Sequence, residues 1–190
     1  MPYYIKRKSS SRSKSTLSKA IAKLDKVFSL YIRLRDSKPF GYKAFRCISC
    51  GKIKPFHYAD CGHYYSRTHM ATRFDEDNCH AECSYCNRFK ADHLISYQAN
   101  LIKKIGKENF DLLTLKAHSS YRWSLYEIEE RIKFYKAQIA EMQKEKWTNY
   151  LPQAKKLAYA ITSVSYATTM RAKPSTQNGA QTKSTLTFLF

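Results

Sequence analysis

Between residue 15 or 18 and Arg35, apolar side chains return at three- and four-residue intervals: Leu17, Ile21, Leu24, Phe28, Tyr31 and Ile32. That period predicts an amphipathic helix, with Lys19, Lys23, Lys26 and Arg33 on its polar side. Pro39 and Gly41 end it. The same period reappears from Asp92 or His93 to Ile105, with Leu94, Tyr97, Leu101, Ile102 and Ile105 inward and Gly106 as the stop. A short helix is expected within 107–120, around Phe110, Leu112, Leu113 and Leu115. Ser124-Leu125-Tyr126-Glu127 then has the form of a capping box, with Trp123 and Ile128 spaced for a hydrophobic staple. The helix it opens runs to about Trp147, with Ile128, Ile132, Tyr135, Ile139 and Met142 on one side.

In the middle of the chain the helical period fades. Residues 53–66 mix β-formers with turn residues and predict a short hairpin, with Asp60 to Tyr65 on or beside its first strand. An irregular loop follows to Asp77, then a second strand from Asn78 to Cys83, then a helix at Asn87 to Lys90. The expected fold class is α+β, a small core flanked by helices. Residues 15–150 form the predicted domain. Residues 1–14, with Lys6, Arg7, Lys8, Arg12 and Lys14 among serines, read as a disordered basic arm. After Pro152 the composition turns to Ala, Ser, Thr, Lys and Gln, so 151–190 reads as a flexible tail, with a weak helix at 155–170 and poor order over 172–190, where Thr185 to Phe190 can alternatively dock as a strand.

Charge narrows the partner. The 190 residues hold 34 Lys and Arg against 15 Asp and Glu, a formal charge of +19. Such an excess fits a polyanion, nucleic acid first among them. The basic residues are not gathered on one amphipathic helix, and no apolar run approaches the ~20 residues of a membrane span, so no membrane partner is expected. No apolar leader opens the chain, which points to a reducing cytoplasm. There the six cysteines are expected to bind metal rather than form disulfides.

Four of them fall in two CxxC pairs, Cys47/Cys50 and Cys83/Cys86. Four thiolates close a tetrahedral Zn²⁺ shell, and a closed shell staples the fold without doing chemistry. Cys61 and Cys79 are left over, as buried free thiols or as part of a second site with a nearby His. Inside the loop pinned by the pairs lie groups suited to phosphodiester hydrolysis, which needs a base for water and a cation for the phosphate. An unperturbed imidazole titrates near neutrality, so His63 suits the base. Asp60 and Asn87 offer hard oxygens suited to Mg²⁺ or Mn²⁺. Asn78 can bridge backbone groups across a loop, and Arg67, Arg73, Arg88 and Lys90 can bind flanking phosphates.

The segment Cys47-x-x-Cys50, Asp60-x-Gly62-His63-Tyr64, Arg73-Phe74-Asp75-x-x-Asn78-x-His80-x-x-Cys83-x-x-Cys86-Asn87-x-x-Lys90 resembles the phage recombination protein family NinG, also called Rap. That family is similar in turn to HNH nucleases of the ββα-metal fold, and the four-cysteine shell followed directly by Asn resembles phage T4 endonuclease VII. The resemblance covers about residues 45–105 and continues loosely into the helix start at Tyr121 to Ser124. It implies a metal-dependent endonuclease acting on branched recombination intermediates, Holliday junctions and D-loops, in phage recombination. By it His63 is the general base, Asn78 the Asn that braces the loop, and Asn87 the last metal ligand. HNH nucleases place a ligand immediately before the base, where this chain has Gly62, and Asp60 is the expected substitute; His80 and His69 come next. Two symmetric cuts on a junction would favour a homodimer, with the 124–147 helix as interface. Two other functions are compatible with the sequence: a zinc-stapled module that binds or anneals nucleic acid without cutting, and a general HNH endonuclease on duplex DNA.

Overall fold

The computed structural model describes residues 15–171, and the side chains of 15–148. The arm at 1–14 and the strand expected at 185–190 lie outside the described residues. Residues to Asn149 make one compact unit and those from Tyr150 a second.

The first helix, α1, spans Thr16–Ser37, with the Ser15 hydroxyl accepting the Ser18 amide at 3.2 Å as its cap. Leu24, Phe28, Tyr31, Ile32 and Leu34 are buried along one side, while Lys19, Lys23 and Lys26 face solvent. A 3-10 turn at Lys38–Phe40 closes it, and Gly41 takes φ +61°. Tyr42 repeats that left-handed conformation, held there by burial and by its hydroxyl on Glu145 at 2.9 Å.

Two small antiparallel sheets follow. Strand β1 (Ala44–Arg46) pairs with β2 (Ile53–Pro55), and β3 (Ala59–His63) pairs with β4 (Cys79–Cys83). The strands expected around Asp60 and at Asn78 to Cys83 pair with each other as β3 and β4. The hairpin expected within 53–66 is corrected at Ile53–Pro55, which does not pair within that span but turns back across the Cys47 knuckle onto β1. In the second sheet Asp60 stands opposite Glu82, Gly62 opposite His80 and His63 opposite Cys79. Helix α2 (Ser84–Phe89) begins directly at the end of β4, earlier than the sequence period indicates, and leaves Lys90 at its boundary. Helices α3 (His93–Ile105) and α4 (Lys107–Ala117) are separated by Gly106 at φ +86°.

Helix α5 spans Leu125–Arg171. Its capping box is formed: the Glu127 amide donates to the Ser124 hydroxyl at 3.2 Å, and the Ser124 amide to the Glu127 carboxylate at 2.8 Å. The helical backbone continues past Trp147, where the sequence reading stopped it, and through Pro152. The Gln, Ala, Lys and Leu that follow the proline are strong helix formers, and they offset the i→i−4 hydrogen bond that Pro152 cannot donate. Ile128, Ile132, Tyr135 and Ile139 are buried in one cluster with the α1 residues Leu24 and Phe28. Phe28 meets Tyr135 at 5.0 Å and Phe74 at 5.8 Å between ring centroids. Each such side chain contributes about 1.5–3 kcal/mol on burial. The stripe that could have met a second copy is therefore taken by α1, leaving Tyr126 and Phe134 outside. Mixed helices and small sheets thus surround a cysteine cluster, an α+β arrangement.

Candidate metal centres and the adjoining cleft

The two CxxC pairs converge. The ligand atoms of Cys47, Cys50, Cys83 and Cys86 all lie within 4.8 Å of one another. The first pair sits on the turn between β1 and β2, where the Gly51 amide bonds the Cys47 carbonyl at 2.9 Å with φ +69° at Gly51. A left-handed backbone at that point suits glycine. In the second pair Cys83 ends β4 and Cys86 lies in the first turn of α2. The Cys83 amide donates to the Cys47 sulfur at 3.3 Å. Burial pushes the Cys47 thiol up to about 11 and raises Cys86 as well. Burial also acts against the Cys50 thiolate, but the Lys52 amide and the neighbouring thiols outweigh it and hold that thiol below its ordinary value. One thiolate is stabilised among groups that resist further ionisation, the arrangement a cation resolves. An all-sulfur donor set of four fits a metal ion and is consistent with structural zinc.

Beside this centre a cleft of about 470 Å³ opens between α1, β3 and α2. His63, Asp60, Asn87, Arg67 and Arg88 all line it. His63 has its Nδ1 at 3.2 Å from the Cys61 carbonyl. Burial, then the Arg67 charge, lowers its pKa from 6.5, so the neutral imidazole is the favoured form. Asp60 receives both Arg88 nitrogens, at 2.8 and 2.9 Å, and the Asn87 amide at 3.1 Å. Burial acts to raise the Asp60 pKa, and the Arg88 and Asn87 bonds with the Arg88 charge overcome it, so the carboxylate is held ionised. Arg88 is well exposed and stands where a cation would neutralise Asp60.

Asn78 is fully buried and braces the loop between β3 and β4. Its oxygen accepts the Tyr65 amide at 2.7 Å; its nitrogen donates to the carbonyls of Tyr65 at 2.9 Å and Thr72 at 3.0 Å. It does not enter the cleft lining. Two of the four expected phosphate ligands are engaged elsewhere. Arg73 forks Asp25 on α1 at 2.6 and 3.0 Å and donates to the Arg67 carbonyl, which ties the loop to the helix. Lys90 lies 3.5 Å from Asp92. His69 faces the Ala117 carbonyl, and His80 is buried against Arg35, Lys104 and Asp36, so neither reaches the cleft.

Two further groups leave no sign in the sequence. Asp36 accepts the Ala81 amide at 2.7 Å and pairs with Arg35 and Lys104, joining α1, β4 and α3. Glu82 is fully buried; one oxygen accepts the Ser49 hydroxyl and lies 2.7 Å from His93 Nδ1, and the other has no partner among the described residues. Gly62 is explained by that carboxylate. A Cβ there would lie 2.8 Å from the Glu82 Cβ and 3.2 Å from Tyr97 Cε2. Contacts between residues far apart in sequence leave no local period to read.

Residues 4–145 match the family model described as Bacteriophage Lambda NinG protein. Protein ninG of Escherichia phage 933W is 36% identical over 110 residues, covering 56% of this chain and 50% of that protein. Protein ninG of Escherichia phage lambda is 34% identical over 110 residues, covering 56% and 49%. That of Salmonella phage P22 is also 34% identical, with the same coverage. The chain spans about half the length of the curated relatives it matches. No solved structure matches it.

Proposed function

The chain belongs to the NinG family of phage proteins, and from that premise we propose that it is a metal-dependent endonuclease selective for branched DNA, such as Holliday junctions and D-loops. The observation that carries the reading is the meeting of His63, Asp60 and Asn87 at one cleft, in the order strand, loop, strand, helix that HNH nucleases use. In this reading neutral His63, its Nδ1 turned to the Cys61 carbonyl, takes a proton from water through its other nitrogen. Asp60 and Asn87 would hold Mg²⁺ or Mn²⁺, which supplies charge stabilisation at the scissile phosphate. Arg88, released from Asp60 as the cation enters, and Arg67 grip the neighbouring phosphates. Contacts to phosphates rather than bases make the preference one of shape. A homodimer would deliver the paired cuts a junction needs; sedimentation of a monomer with and without junction DNA would count against it.

The test is cleavage of a labelled four-way junction and its matching linear duplex in Mg²⁺ or Mn²⁺, for wild type and His63→Ala. Junction cleavage lost in the variant, with junction binding kept, is the expected result. Equal cutting of both substrates would favour a general HNH nuclease. A second reading, a binding or annealing module that does not cut, draws on the Arg88 fork that already neutralises Asp60. Binding without cleavage in either cation would establish it.

A further inference from the structure

The second sheet gathers two thiols and an imidazole that the hydrolytic reading does not use together. His63 and Cys79 stand directly opposite in the β3–β4 register, and Cys61 is the next residue on the same side of β3. The ligand atoms of Cys61, His63 and Cys79 all lie within 4.8 Å of one another. In a tetrahedral zinc site sulfurs sit roughly 3.8 Å apart, so closing the cluster needs only small side-chain adjustments. We propose that Cys61, His63 and Cys79 form a second metal site, which takes one thiophilic divalent cation such as Zn²⁺ and keeps its remaining coordination position open to the cleft.

Four features support it. Two thiolates neutralise a divalent ion, so it can enter a site whose Cys79 is fully buried without leaving net charge there. Among the described residues the Cys79 sulfur makes a weak contact to the Arg73 carbonyl at 3.8 Å and a hydrogen bond with the Cys61 side chain, the thiol that would share its metal. The His63 ring is held with Nδ1 toward the Cys61 carbonyl, the outer hydrogen bond that commonly orients a ligating imidazole through its other nitrogen. Cys61 and His63 line the cleft, so a fourth ligand can come from solvent there, as in three-ligand zinc sites. Sulfur and nitrogen donors select a softer ion than the oxygens of Asp60 and Asn87, so the two sites do not compete for one cation.

The site has a consequence for the proposed nuclease, and that consequence alone rests on the hydrolytic reading. An imidazole bound through Nε2 cannot accept a proton from water. Zinc at this site would hold the base inactive, and its removal would restore it.

The experiment counts metal, not cleavage, so its outcome is independent of whether the protein is a nuclease. The full chain is purified with zinc under reducing conditions and freed of loose metal by gel filtration. Zinc per chain is then measured for wild type, Cys61→Ser and His63→Ala. Two equivalents are expected in wild type and one in each variant. Titrating the apo-protein with Co²⁺ should add a second charge-transfer component of about half the thiolate intensity of the four-cysteine site, two sulfurs against four. This readout needs only wild type and stands if a variant fails to fold. One equivalent in wild type, unchanged in Cys61→Ser, would overturn the proposal. So would a Cys61–Cys79 disulfide found by peptide mapping of protein never exposed to oxidant.

Discussion

Gly62 and Asn78 each decide the site from a single position. At Gly62 the space a side chain would need is filled by Glu82 and Tyr97, the first of them backed by β4. Gly62→Ala should cost about 2 kcal/mol through overpacking, read as a lower urea midpoint. Gly62→Asp would restore the residue type HNH nucleases place before the base, yet it should destabilise further, because it brings a second carboxylate onto buried Glu82. Asn78→Ala strips partners from the Tyr65 amide and from two carbonyls. Leaving such groups buried costs about 1–3 kcal/mol each at most. A total loss of about 3 kcal/mol is expected, with faster amide exchange across 65–72 while the four-cysteine centre keeps its metal. Both positions show what a sequence can and cannot disclose. Asn78 was legible because a buried amide bridging a loop is a recurring use of Asn near a strand. Gly62 was legible only as a departure from pattern. Its cause, a carboxylate twenty residues on, has no local signature.

At the scale of elements, the helices were readable where an apolar stripe and a cap agreed. Gly106 bounds its helix as read, Ser15 is the earlier of the two starts read for α1, and Ser124 with Glu127 closes a box whose partners are three residues apart. The β1–β2 hairpin was not legible, because pairing is a long-range choice: a three-residue strand carries too little alternation to name its partner. The joints between elements were not legible at all. Asp36, near the end of α1, fixes β4 through the Ala81 amide and α3 through Lys104. Burial opposes its ionisation, but bonds to His80 and Arg35 with the Arg35 and Lys104 charges prevail, and its pKa falls far below the ordinary 3.8. A carboxylate lowered on folding binds fewer protons in the native state than in the unfolded one. Its contribution is therefore complete above the ordinary value and is lost as pH falls below it toward the folded one. Urea midpoints should drop on acidification from about pH 5 to about pH 3. Asp36→Asn should flatten that drop and cost about 2 kcal/mol near neutrality, since it removes the nearer carboxylate from Arg35 and leaves it the Glu76 carboxylate at 3.6 Å with the Glu76 and Cys79 carbonyls. A variant with the wild-type acid slope would show that α1, β4 and α3 are not joined through this carboxylate.

Across the whole molecule, the +19 charge says that a polyanion should bind but not where. Arg67 and Arg88 line the cleft, whereas Arg73, equally basic in the sequence, is turned in to Asp25. The two kinds of arginine should therefore behave differently. On the proposed reading Arg67 neutralises a phosphate and releases a condensed counterion when DNA binds. Arg67→Ala should then weaken junction binding and reduce the slope of log K against log salt by about 0.9, the value of one phosphate contact on duplex DNA. Arg73→Ala should leave that slope unchanged, because Arg73 gives no contact to lose. It should instead lower the unfolding midpoint, since the Arg73–Asp25 fork joins the loop between β3 and β4 to α1, with each side chain 19% exposed. The comparison is made at matched folded fractions, so that a stability loss is not mistaken for an affinity loss. Slopes that fall equally in both variants would mean that charge acts diffusely over the surface and that the cleft is not where the backbone lies. A fall confined to Arg67→Ala would put the phosphates at the cleft that His63 lines, where the proposed hydrolysis needs them.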